Sequence, residues 1–208
     1  VAGRSGFAHL FEHLMFQGSS QVPSGEHLSA LQAVGGSVNA TTSFDRTNYF
    51  QTVPKNSLDT VLWLESDRMG HFRNAITQAI LDEQRGVVKN EKRQGENSPY
   101  GRVGQNILSN IFPANHPYRH DTIGSMADLD AATLDDVKNW FRANYGAANV
   151  TLVLAGDITA EQAKAKAMQY FGDIPAGPPV AHPQPWTPTL AEARSGVQHA
   201  QVQQPRLV

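Results

Sequence analysis

At 208 residues the chain is long enough to bury one sizeable core or two small ones. Its formal net charge of −2 gives no pull toward nucleic acid or an anionic membrane surface, and no stretch approaches the ~18 consecutive apolar residues that a membrane span needs. It contains no Cys, which excludes a disulfide framework and a thiolate metal site, so any zinc must be held by His and carboxylate.

The first predicted helix covers roughly residues 5–17 and carries His9-Leu10-Phe11-Glu12-His13. At ~100° per residue, His9 and His13 stand about 40° apart and one turn separated on the helix surface. Both reach one metal ion. Glu12 lies about 60° to the other side of His9, close enough to touch a water on that metal without being a ligand. The order H-x-x-E-H is the inverse of the H-E-x-x-H zinc signature. Neutral imidazole binds Zn²⁺ well, and a carboxylate beside it can take a proton from the activated water. The competing reading is a chance pattern on a solvated helix. Against it, Phe7, Ala8, Leu10, Phe11, Leu14, Met15 and Phe16 make the helix apolar almost all round, so it is expected to be buried. Buried His and Glu need partners, and a metal supplies one.

A second helix is expected at roughly 25–34, opened by Pro23-Ser24-Gly25-Glu26 and ended by Gly35-Gly36. Residues 37–43 and 47–53 then read as two β-prone runs around the polar turn Phe44-Asp45-Arg46, a hairpin. Asn56-Ser57 caps a helix that runs to about Gly70. A long helix at about 76–95 is broken by Pro99 and followed by another at about 100–111. Residues 111–130 read as a loop rich in His, Pro, Asp and Gly. Thr133 to Asp136 signals the start of a helix to about Tyr145. Residues 149–155 read as a buried-type strand ending at Gly156-Asp157. Thr159 to Gln162 is a capping box for a helix to about Phe171. Residues 173–193 are Pro-rich and read as a linker.

A catalytic zinc site usually has three protein ligands and a water. The best third candidate is Glu91, in the long charged helix, although spacing alone favours an ordinary solvated Glu paired with Lys or Arg. Gln84 stands two turns before Glu91 on the same face, placed to orient a ligand from behind by hydrogen bonding. In the loop, His116, His120 and Asp121 fit no helical face, and a structural role outweighs a second metal site. His27 and His71 read as surface or helix-end residues. Trp63, Trp140 and Phe141 read as core, and Lys89, Lys92 and Arg93 as a solvated face.

Three segments, in order, resemble the pitrilysin/insulinase family of metallopeptidases (peptidase family M16). They are Gly6-Phe-Ala-His-Leu-Phe-Glu-His-Leu-Met-Phe-Gln-Gly18, then Gly35-Gly-Ser-Val-Asn-Ala-Thr-Thr-Ser-Phe-Asp-Arg-Thr-Asn-Tyr-Phe50, then Gln84 to Gln94 with Glu96-Asn-Ser-Pro-Tyr-Gly101. The likeness runs from about Gly3 to about Pro175. It implies an α+β fold with helices packed on one face of a mainly antiparallel sheet, one half of a clamshell. It implies one Zn²⁺ per chain held by His9, His13 and Glu91, with Glu12 as general base. Many relatives carry Glu where this chain has Gln84, so a supporting role there survives and an acid–base role does not. It further implies that substrate peptide adds as a strand along Asn39, Ala40 and Thr41; the residue-level alternative is that Asn39 is a plain strand-end residue.

The implied activity is a zinc-dependent endopeptidase acting on peptides or small unfolded proteins. The alternative is a non-catalytic homologous partner subunit of such a peptidase. A second half, in the same chain or another subunit, is expected to close over the site, so that these residues alone cleave weakly or not at all. Residues 1–175 are expected to be the zinc-binding domain, without the strand or two that precede the motif in the family. Residues 176–208 are expected to be linker and the start of a further domain, making the chain a fragment. Localisation is open, with the bacterial periplasm favoured by resemblance.

Overall fold

A computed structural model describes residues 3–72, 75–180, 186–205 and 207. The elements, in order, are α1 (Phe7–Leu14), α2 (Glu26–Ala33), β1 (Ser37–Thr42), β2 (Thr47–Thr52), α3 (Leu58–His71), α4 (Gln78–Asn97), α5 (Val103–Ile111), α6 (Met126–Ala131), α7 (Leu134–Asn144) and α8 (Ala160–Phe171). The architecture is α+β, as expected. β1 and β2 form an antiparallel hairpin in register from Ser37 opposite Thr52 to Thr42 opposite Thr47. The Ser43 N–H donates to the Arg46 carbonyl at 2.7 Å and closes the turn. Helix α1 packs on β1, β2 and α4, and α2 packs on β1.

Helix α1 is buried because only its His and Glu side chains interrupt an apolar surface. Phe7, Leu10, Phe11, Leu14 and Met15 all enter the main core. There they meet Leu81 and Val88 of α4, Leu129 of α6 and Val137 of α7. Phe11 lies against Phe72, Phe141 and Tyr145 in an aromatic cluster with ring centroids 4.8–6.1 Å apart. The helix start is fixed equally tightly. Gly6 has φ +83°, and a Cβ there would stand 2.4 Å from the Ile123 carbonyl oxygen, so only glycine fits. The Ser5 N–H donates to Asp128 Oδ2 at 2.8 Å. Truncating one of the buried leucines of α1 to Ala costs roughly 2–5 kcal/mol on general grounds.

The capped helices appear as expected. Thr133 and Asp136 form a capping box at α7, and Thr159 and Gln162 form one at α8. Some expectations need correction. The 111–130 loop contains the start of α6, capped by the Ser125 side chain, because a short helix with one buried residue, Leu129, leaves no periodic signal. Residues 149–155 do not form a strand. They are extended, but among the described residues no backbone partner lies beside 151–155, and a strand is defined by its ladder. Val153 is 77 % exposed. The run instead lines a cavity of about 1250 Å³ together with β2 and α3. Trp63 is 40 % exposed rather than core, while Trp140 and Phe141 pack on the core. The linker expectation at 173–193 falls on coil, with residues 181–185 outside those described.

His27 is buried rather than at the surface, because α2 lays it on a charged pair inside the fold. Arg68 is 1 % exposed and donates to Glu65 Oε1 at 2.6 Å and Oε2 at 2.9 Å. Its guanidinium also stacks on Phe16 at 5.0 Å and Tyr49 at 4.5 Å. His27 Nε2 lies 3.4 Å from Glu65 Oε1, an electrostatic contact rather than a formed hydrogen bond. Burial by itself would push the Glu65 carboxyl up, but Arg68 and then His27 outweigh it and hold the group below its ordinary value. A depressed carboxyl stabilises the fold above its unfolded-state value, and that contribution is lost as pH falls through the folded-state value. Glu65→Gln is therefore expected to lower unfolding free energy at pH 7 by about 3 kcal/mol. The gap to wild type should narrow as pH drops below the usual carboxylate range. Urea titrations across that range check this, and a gap unchanged down to about pH 3 would contradict it.

Candidate metal centre

The crossing of α1 and α4 assembles the site. His9 and His13 lie one turn apart on the same face of α1, and their rings stand 4.8 Å apart in an edge-on arrangement. Glu91, in the third turn of α4 past its core-facing Leu81, reaches across to both. Its Oε2 is 3.4 Å from His13 Nε2 and 3.8 Å from His9 Nε2. Two ligand atoms about 2.1 Å from a tetrahedral cation lie about 3.4 Å from each other, so this spacing suits one shared ion. Among the described residues, these three form the one group of His, Asp and Glu able to hold a metal, with ligand atoms within 4.8 Å of one another. The His side chains are 18 % and 19 % exposed and Glu91 is 42 % exposed, so the site opens on one side.

The electrostatics fit cation binding. Burial, and after it the neighbouring His13, push the His9 pKa below its ordinary value, keeping the ring neutral, the form that ligates. His9 Nδ1 is buried without a hydrogen-bond partner among the described residues. Gln84 is buried two turns before Glu91, while its neighbour Glu83 points out to solvent. The Gln84 side chain makes no hydrogen bond to any of the three candidate ligands.

The cleft over the site is lined by His9, Glu12, His13, Asn39, Ala40 and Glu91, with Phe16, Leu28 and Val38 as its apolar wall. Glu12 is thus brought beside the candidate ligands, as the helical spacing predicts. Asn39 and Ala40 reach the cleft from β1. The Asn39 side chain is folded back on its own strand, its Oδ1 accepting from the Ala40 N–H at 2.8 Å. Thr41 turns its hydroxyl across the hairpin to Asn48. Among the described residues the outer edge of β1 has no strand beside it. Beneath Glu12, the Tyr49 and Tyr145 hydroxyls are 2.7 Å apart, and burial raises both, Tyr145 to about 12, so both stay protonated.

The loop histidines serve the structure. His116 Nδ1 accepts from the Tyr118 N–H at 3.0 Å, and its Nε2 lies 3.0 Å from the Trp186 carbonyl, leaving neither nitrogen free. Lys89 and Lys92, expected on a solvated face, pair with Asp130 at 2.5 Å and Asp121 at 3.1 Å and tie α4 to α6 and the loop before it. The residue that spacing did not single out is Thr42, whose hydroxyl donates to Glu12 Oε2. The period-two alternation that puts Ala40 on the buried face of β1 also puts Thr42 there, and that was the available signal.

With the fold and the geometry of the cleft described, comparison with known proteins gives the family. The profile of the insulinase family (peptidase family M16) matches residues 3–124, and that of the peptidase M16 inactive domain matches residues 131–208. The chain belongs to this family. It is 30 % identical over 199 residues to the zinc protease PqqE of Helicobacter pylori, covering 95 % of this chain and 44 % of that protein. The crystal structure of a protease from Helicobacter pylori superposes with a TM-score of 0.83 at 30 % identity, over 90 % of this chain and 44 % of that one. The first half of the periplasmic protease PqqL from Escherichia coli gives a TM-score of 0.76 at 26 % identity, over 92 % of this chain and 42 % of that one. The chain thus spans less than half the length of these relatives. No helix among the described residues is long and apolar enough to cross a membrane.

Proposed function

We propose that this chain is the zinc-binding part of a zinc-dependent endopeptidase that hydrolyses peptides or small unfolded proteins. The observation that carries the reading is the convergence of His9, His13 and Glu91 to ligand spacing with Glu12 beside them in an open cleft. The membership of a family whose named relatives are zinc proteases supports it.

In this reading His9, His13 and Glu91 hold one Zn²⁺, and Gln84 lies buried two turns before Glu91 on the same helix without bonding any of the three. When bound, the zinc supplies Lewis acidity toward a peptide carbonyl and lowers the pKa of water. Glu12 takes a proton from the attacking water and passes it to the departing amine. Substrate lies along the open edge of β1 as an added strand, held by main-chain bonds beside Asn39, Ala40 and Thr41, which tolerates varied sequence. Residues 1–175 form the zinc-binding unit, and 176–208 lead toward further structure. A second homologous half, from the same polypeptide or another subunit, closes over the cleft and completes the oxyanion site. The periplasm is the proposed location, on the likeness to a periplasmic protease.

Elemental analysis should find about one zinc per chain in protein refolded with the metal, and close to none after His13→Ala. No zinc in either would mean that Glu91 does not complete the site. Glu12→Gln should leave zinc content unchanged and lower peptide hydrolysis by the assembled two-half enzyme about 10²–10⁴-fold. An assembled two-half wild-type protein that holds its zinc but hydrolyses no peptide would favour the non-catalytic partner instead.

A further inference from the structure

The base proposed for this site is held by a side chain from a different element. Glu12 sits on α1, and its carboxylate Oε2 accepts a hydrogen bond from the Thr42 hydroxyl at the end of β1. Thr42 Oγ1 is in turn 3.2 Å from Thr47 Oγ1, its cross-strand neighbour in the register of the hairpin. A hydroxyl carries one proton. If Thr42 gives it to Glu12, it accepts from Thr47, so the three groups form a directed chain, Thr47 to Thr42 to Glu12. Thr47 is fixed in its turn by the four-residue turn that the Ser43–Arg46 bond closes. One carboxylate oxygen of a residue that lines the cleft is thereby pinned.

We propose that Thr42 is a positioning residue for Glu12: its hydroxyl fixes the orientation of the carboxylate and links the base to the strand edge on which the substrate is to lie. The role rests on Glu12 acting as the base. A free Glu side chain on a helix samples several rotamers, and a base misplaced by about 1 Å can cost about a hundredfold in rate. The hydrogen bond removes that freedom without contacting metal or substrate. Because the donor belongs to β1, any movement of the edge strand carries the base with it.

The test compares wild type, Thr42→Val and Thr42→Ser in the zinc-loaded, two-half enzyme. Val keeps the branched shape and strand preference but has no hydroxyl, and Ser restores it; Thr42→Ala stands in if the Val variant does not fold. The expected result is a fall in kcat of about ten- to a hundredfold for Val, with KM and zinc content within about twofold of wild type, and most of the rate returned by Ser. Unchanged kcat in the Val variant would overturn the proposal. So would loss of zinc, which marks a structural role, or a rise in KM alone, which marks substrate binding. If the wild-type assembly cleaves no peptide, the endopeptidase reading fails separately. Crystal structures of wild type and Thr42→Val then decide the positioning role without turnover: a Glu12 carboxylate turned away in the variant supports it, and one in the same orientation in both refutes it.

Discussion

Everything at the centre depends on how α1 crosses α4. Helix α1 can present two imidazoles one turn apart, but a helix face that narrow offers no third ligand with the right reach. The third must come from elsewhere and must be held to within a fraction of an ångström. The apolar contacts that bury Phe7, Leu10, Phe11 and Leu14 against Leu81 and Val88 set the approach of the two helices. Glu91, three residues beyond Val88, then projects toward both His rings. The same packing closes off Gly6, where α1 begins against the Ile123–Gly124 backbone. Core and site are therefore one construction: the side chains that stabilise α1 also fix its histidines.

Around that crossing, polar groups are placed where burial would otherwise penalise them. Arg68 is enclosed, yet its charge is met by both oxygens of Glu65, its face by Phe16 and Tyr49, and its Nη1 by the Met15 carbonyl at the end of α1. This buried cluster joins α1, α2, α3 and β2 directly behind the cleft. Tyr49 carries Arg68 on one face, bonds Tyr145 through its hydroxyl and feels the charge of Glu12. The hairpin thus serves on both sides, packing inward through Tyr49 and its cross-strand partner Ala40 and turning Asn39 of the opposite face toward the cleft.

Local signals were readable in the sequence and long-range ones were not. His9, Glu12 and His13 follow from helical periodicity within five residues, and the capping boxes at Thr133 and Thr159 mark their helices within a residue. Glu91 did not follow from spacing, since a charged helix supplies many equivalent carboxylates; the resemblance to the family singled it out, and the helix crossing places it at ligand distance. His27 stands at a helix end but is buried, and Trp63 is exposed, because burial of a single helical residue depends on what packs above it, which no short window records. The apolar run at 149–155 has the composition of a strand without a pairing partner among the described residues, and pairing is a property of two segments. Alternation along β1 puts Thr42 on the buried face, but its contact with Glu12 depends on how α1 packs against the strand.

The proposed function requires one zinc ion held jointly by α1 and α4. X-ray absorption at the zinc edge tests it most directly on the zinc-loaded protein, wild type beside Glu91→Ala. An ion held in this way is four-coordinate in the wild type, with two imidazole nitrogens and oxygen ligands at about 2.0–2.2 Å, and loses one oxygen ligand or its ordered coordination in the variant. An identical spectrum from both proteins, or six oxygen ligands and no imidazole in the wild type, would contradict it.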